Sequence, residues 1–187
     1  MKMKIKFEPM NISGCYFSHL HILDDHRGSF QKIFHIDIFN DIIPRFKLGE
    51  AYITSSSKNV LRGMHFQLPP HDHSKVVICL RGKVTDVLLD LRPGHDFGQF
   101  ASIDLTPSET NVVVVPKGVA HGFYAHCDNS DLLYLVDTVH NKASDSGIHW
   151  NGFGFEWPTK CPNISERDKK HPDIKSFKIP KEWYWFK

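Results

Sequence analysis

Fifteen residues, LRGMHFQLPPHDHSK from Leu61 to Lys75, hold three histidines, an arginine and a lysine between two apolar runs. Imidazole takes and gives protons near neutrality and is also a common ligand for zinc and iron, so two chemistries compete for this stretch. His71 and His73 stand two apart, the spacing that puts both on one side of a strand, and His121 in PKGVAHGF is a candidate third imidazole. A metal centre built on them would be all-histidine, because Asp72 is the only acidic residue between Phe66 and Asp86. The plainer reading makes His71 and His73 polar loop residues after Pro69 and Pro70.

The surrounding chain is built to hold such groups on strands. GEAYITSSS, KVVICL, VTDVLLDLR, FASIDLT, NVVVVP, GFYAHC and LLYLVDTV are short runs rich in Val, Ile, Leu and aromatics. They are separated by turn residues such as Arg81-Gly82-Lys83, Arg92-Pro93-Gly94 and Pro116-Lys117-Gly118, a pattern that predicts an antiparallel sandwich or barrel. Only HIDIFNDIIPRF and SERDKKHP offer short helical windows. The aromatics of IPKEWYWFK would be a liability if exposed, which predicts that they pack on the barrel or on a second subunit, and KIKFEP reads as an edge strand able to pair across a dimer. At 187 residues, with no repeat or linker, the chain reads as one domain, residues 1–187, with a barrel core over about 45–150 and an aromatic C-terminal segment over about 160–187.

Composition narrows the partners. A formal charge of +2 is too mild for a nucleic-acid footprint and favours a small anionic ligand. The longest apolar runs are strand-sized, and the N-terminus MKMKIKFEPM alternates Lys with apolar residues, so neither a membrane span nor a signal peptide is expected. Cys15, Cys79, Cys127 and Cys161 are scattered without a CxxC pair, which fits reduced thiols in a cytoplasmic protein.

VLRGMHFQ, then HDHSKVVICLRGKVTDVLLDLR, GQFASIDL, PKGVAHGFYA, DLLYLVDT and ISERDKKHP resemble, in order and spacing, the dTDP-4-dehydrorhamnose 3,5-epimerase family; the likeness runs from DDHRGSF near residue 25 to Asp168. It implies an all-β, cupin-like jelly-roll barrel with a few short helices, no metal or organic cofactor, a homodimer, and a nucleotide-diphosphate sugar as substrate. It also implies epimerisation at C3, C5 or both, beside the 4-keto group of a 6-deoxyhexose. Such chemistry needs a base, a group to stabilise the enolate, and an acid on the opposite face. By the resemblance His65 is the base, Asp168 the carboxylate that orients it, Lys75 the cation near the enolate, and Tyr134 the acid. Arg27 and Arg62 match residues that meet the diphosphate, and Phe30, Gln67 and His121 match further substrate-binding positions. Each has a plain competitor: His65 as a core histidine, Asp168 as part of a capping box with Ser165, Tyr134 as barrel filling, Lys75 as a solvated strand end, and Arg27 as a turn residue.

The chain departs from the family where the nucleotide is read. Lys32 stands where a Glu reaches the base, Glu50 where a Gln does, and Val139 and His140 where tyrosines follow the catalytic Tyr. These exchanges leave open a mono-epimerase acting on a CDP- or GDP-linked sugar. Two further alternatives are a metal-dependent cupin enzyme using His71, His73 and His121, and a non-catalytic sugar-binding barrel.

Overall fold

A computed structural model describes residues 5–185. Thirteen strands are joined by short turns: β1 (Glu8–Pro9), β2 (Tyr16–Ser18), β3 (Ile22–Asp25), β4 (Gly28–Gln31), β5 (Glu50–Ser56), β6 (Leu61–Gln67), β7 (Lys75–Arg81), β8 (Val84–Asp90), β9 (Phe100–Leu105), β10 (Val112–Val115), β11 (Val119–Ala125), β12 (Ser130–Val136) and β13 (Asp145–Gly147). The single α-helix among the described residues, α1 (Ile36–Ile42), buries Phe39 and stops just before Pro44, which disfavours helical backbone in the residue preceding it. Two antiparallel sheets, β1-β2-β10-β7-β12-β5 and β13-β6-β11-β8-β9, form a cupin-like barrel, and β3-β4 is a separate hairpin.

Alternation along the strands sorts the side chains into layers. Val77 and Cys79 of β7, Val113 and Val115 of β10, Leu132 of β12, Val84 and Leu88 of β8 and Phe123 of β11 point inward and fill the barrel. Their neighbours Val76, Ile78, Val112, Val114 and Leu135 point outward and are covered by Leu20, Phe39 and Phe46. On the other sheet Val87, Leu89, Ala120 and Tyr124 are covered by Trp157, Trp183 and the partly buried Phe177 and Ile179. Both faces of the central strands are thus dry, which is why these sequences read as unbroken apolar runs.

The C-terminal segment packs on its own barrel. Trp183 is fully buried against Phe66 and Phe177 and donates its indole N–H to Asp72 Oδ2 at 3.1 Å, whereas Tyr184 is exposed; Phe186 and Lys187 lie outside the described residues. The expected N-terminal edge strand is only Glu8–Pro9. It pairs with β2 of the same chain, while Lys4 lies outside the described residues.

One irregularity shapes the site. On β11, His121 and Phe123 are two apart, but their partners on β6, His65 and Arg62, are three apart, so β6 carries one extra residue there. Gly63 absorbs it at φ +140°, and a Cβ at that position would stand 2.5 Å from Gly122 Cα. The bulge turns both Arg62 and His65 toward the barrel interior, where both line one cavity.

Candidate active site

The inward parity that fills most of the barrel with apolar side chains places Lys75, Tyr134, His121 and His65 at one end of it. They line a cavity of about 250 Å3 with Tyr52, Arg62, Gln67, His73, His140, Asp145 and Arg167. His65 comes from one sheet and Tyr134 from the other, so the two face each other across the cavity. Lys75 begins β7, beside Val136, and its Nζ donates to the His65 carbonyl at 3.0 Å, tying the two sheets together.

Behind His65 lies Asp168, whose side chain is 3% exposed and whose Oδ1 is 2.9 Å from His65 Nε2. The backbone N–H of Gly63 in the bulge donates to Asp168 Oδ2 at 3.3 Å. The two readings of SERD coexist: Ser165 Oγ accepts from the Asp168 backbone N–H at 3.1 Å, while the Asp168 side chain turns to His65. Arg167 Nη2 lies 2.7 Å from the same His65 nitrogen. That nitrogen serves one neighbour at a time: protonated it donates to Asp168, unprotonated it accepts from Arg167.

Burial sets the protonation states. It lowers the His65 imidazole below its ordinary value, outweighing the upward pull of Asp168, so the ring is neutral and able to accept a proton at pH 7. Burial alone would raise Asp168, but His171, His65 and Arg167 hold its carboxyl far below the usual carboxylate range. Lys75 is lowered to about 8 by burial, against the pull of Asp145 and Asp86, and still carries its charge at neutrality. Tyr134 is pushed well above its ordinary value by burial and by Tyr52, which keeps its hydroxyl proton in place. Its ring is stacked on Tyr52 (centroids 4.8 Å, 11°) and meets His121 edge-on at 5.9 Å.

The other candidates divide. Arg62, Gln67, His121 and His140 line the cavity, and Glu50 lies beside it, where its Oε2 accepts from the His140 backbone N–H at 2.8 Å. Arg27 and Phe30 belong to the β3–β4 hairpin region and Lys32 follows it; none of the three lines this cavity. Arg27 is held by Asp25 at 2.5 Å.

The all-histidine metal reading is corrected by where the imidazoles point. His71 Nδ1 pairs with Ser144 Oγ at 2.9 Å, His73 Nδ1 with Gln67 at 2.8 Å, and His121 Nε2 with Asp86 at 2.7 Å, so the three rings serve three different partners. Among the described residues the one converging group of potential ligands is His65, Asp168 and His171, in which Asp168 already shares a hydrogen bond with His65.

Residues 9–176 match the family model described as dTDP-4-dehydrorhamnose 3,5-epimerase. The chain belongs to the dTDP-4-dehydrorhamnose 3,5-epimerase family. It is 34% identical over 155 residues to the dTDP-4-dehydrorhamnose 3,5-epimerase of Escherichia coli, covering 80% of this chain and 83% of that one. It is 32% identical over 169 residues to the dTDP-4-dehydrorhamnose 3-epimerase of Streptomyces niveus, covering 88% and 82%. Its fold superimposes with a TM-score of 0.88, at 26% identity and over 96% of this chain and 97% of the other, on the Legionella pneumophila dTDP-6-deoxy-D-glucose-3,5-epimerase solved with dTDP-4-keto-L-rhamnose.

Within this epimerase-family barrel, sequence reasoning passed over Asp86, Tyr52, Asp145, Arg167 and His171. Asp86 had a readable signal: it shares the inward parity of Val84 and Leu88 in VTDVLLD, and an acid in that position is buried with His121. Burial pushes the Asp86 carboxyl up, against His121 and Lys75. Arg167, in the turn before Asp168, pairs at 2.7 Å with Asp145 at the start of β13, a contact that no local pattern announces.

Proposed function

We propose that the protein epimerises a dTDP-linked 4-keto-6-deoxyhexose by removing a proton beside the ketone and returning one to the opposite face. The observation that carries this is the placement of His65 and Tyr134 on opposite sheets of one cavity. A sugar lying between them meets a base on one face and an acid on the other, which inversion requires. His65 takes the C–H proton, and Asp168 stabilises the imidazolium that forms. Lys75, a buried cation lining the cavity, stabilises the negative charge delocalised onto the ketone oxygen, and Tyr134 supplies the returning proton. Arg62 suits the diphosphate because its planar fork can bond two oxygens at once.

The test is proton NMR of dTDP-4-keto-6-deoxyglucose with the protein in deuterated water, following H3 and H5 separately. Loss of both signals marks a 3,5-epimerase, and loss of H3 alone marks the activity named for the Streptomyces niveus relative. Undiminished exchange by His65→Ala would end the assignment of the base.

We further propose a homodimer. Ile22, Leu23 and Phe30 expose apolar surface on the β3–β4 hairpin, and Arg27 and Phe30 line no part of their own chain's reaction cavity, which fits a hairpin that serves a second subunit. A monomeric mass by light scattering overturns this.

A further inference from the structure

Gln67 fixes the tautomer of His73. Its Oε1 lies 2.6 Å from the Asn141 backbone nitrogen, which can only donate, and its Nε2 lies 2.7 Å from the His71 carbonyl, which can only accept. The amide orientation is therefore forced, and its second N–H points at His73 Nδ1, 2.8 Å away. Nδ1 must accept, so the neutral His73 ring carries its proton on Nε2. That Nε2 is buried and has no hydrogen-bond partner among the described residues.

The ring stands where two cavities meet. His73, Tyr52 and His140 line both the reaction cavity and a side cavity of about 210 Å3 whose wall includes Glu50. Burial first, then the positive charges of Lys75 and Lys117 with His140 and His121 nearby, pushes His73 down to about 2, so the ring is a neutral donor at any working pH. A neutral N–H beside a carboxylate wall suits an uncharged acceptor and not a phosphate, which calls for a cation such as Arg62.

We infer that His73 is a specificity-determining residue whose Nε2–H donates to a carbonyl oxygen of the bound nucleotide sugar. This rests on the epimerase reading, and the carbonyl belongs either to the nucleobase or to the keto sugar. A site that supplies a hydrogen bond to a substrate group discriminates strongly against ligands lacking it.

Two measurements decide it. Long-range proton–nitrogen NMR of the histidine-labelled full chain is expected to show His73 as the Nε2–H tautomer, unchanged between about pH 5 and 8 and shifted by dTDP-4-keto-6-deoxyglucose. An Nδ1–H tautomer, titration in that range, or no shift on adding the sugar overturns the inference, and this readout needs no variant to fold. In His73→Leu, a Kd for dTDP alone raised by about 10-fold or more places the acceptor on the nucleobase. An unchanged dTDP Kd with a KM for the keto sugar raised by about 10-fold places it on the sugar. Both constants within about twofold of wild type refute the role. If the wild-type chain exchanges no sugar proton yet His73 shifts with ligand, the epimerase reading fails and the donor stands. Exchange with an unmoved His73 fails the donor alone.

Discussion

Replacing Asp168 with Asn keeps the side chain's size and removes its charge. Asp168 Oδ1 and His65 Nε2 are 2.9 Å apart. At that separation and an effective dielectric of about 20, a carboxylate and an imidazolium attract by about 6 kcal/mol. His65, with 24% of its side chain exposed, is partly screened by water. The lower bound is a single hydrogen bond to a charged group, about 1.5–3 kcal/mol. A loss of about 1.5–6 kcal/mol corresponds to a kcat reduced by about 10- to 10⁴-fold. The loss belongs in kcat because the imidazolium exists only after the proton has moved, so ground-state binding does not draw on it. The amide oxygen can still accept from the Gly63 N–H, which keeps the bulge in place. Deuterium incorporation into dTDP-4-keto-6-deoxyglucose gives kcat, and calorimetry with dTDP is expected to show Kd within about threefold of wild type. A kcat for Asp168→Asn within about threefold of wild type would refute the assigned role of this carboxylate.

Tyr134→Phe removes the donated proton while leaving the ring stacked on Tyr52; kcat falls by about 10²-fold or more and the melting temperature is expected to stay near wild type. The pH profile of kcat/KM is expected to be bell-shaped. The acid limb falls as pH drops through the depressed His65 value, below the ordinary 6.5, because the base is then protonated; the alkaline limb falls as pH rises through about 8, because Lys75 loses its charge. Lys75→Arg moves the alkaline limb up by more than about one pH unit, and a limb left at about 8 assigns it to another group. Gly63→Ala forces a Cβ to within 2.5 Å of the Gly122 backbone at φ +140°, and the stability read from urea unfolding falls by about 2 kcal/mol or more.

The barrel was legible because its strands are short, apolar and bounded by turn chemistry: KVVICL and NVVVVP became β7 and β10 with their limits shifted by a residue or so. What the runs could not reveal is which side of each strand faces the barrel, since Val76 and Val77 are equally apolar and equally buried, one under Phe39 and the other in the barrel. The cover on the second sheet comes from residues such as Trp183, more than 90 positions from the Leu89 it helps to bury, and only tertiary packing brings them together. The metal reading turned on where ring nitrogens point. His71 and His73 have the right spacing on paper, but each spends its Nδ1 on a different partner, the distant Ser144 and the nearby Gln67.

The site was read as a set of residue types, and its stereochemical logic appears only in the sheets. Arg62 and His65 are three apart, a spacing that in a regular strand puts them on opposite faces. Gly63 changes that: the inserted residue brings both side chains into the cavity, and the N–H that the bulge frees is taken up by Asp168, the same carboxylate that holds His65. On the proposed roles, the glycine in RGMH is part of the catalytic geometry, since it positions His65 and connects it to Asp168 at once. Tyr134 gains its position independently, from the regular alternation of β12 in the facing sheet. His65 and Tyr134, the proposed base and acid, are fixed on separate sheets bridged by Lys75, so neither can swing to the other's side of a sugar held between them. In the proposed reaction a proton removed on the His65 side and returned from the Tyr134 side inverts the carbon, which would make the stereochemical outcome a property of the barrel as well as of the residues on its walls.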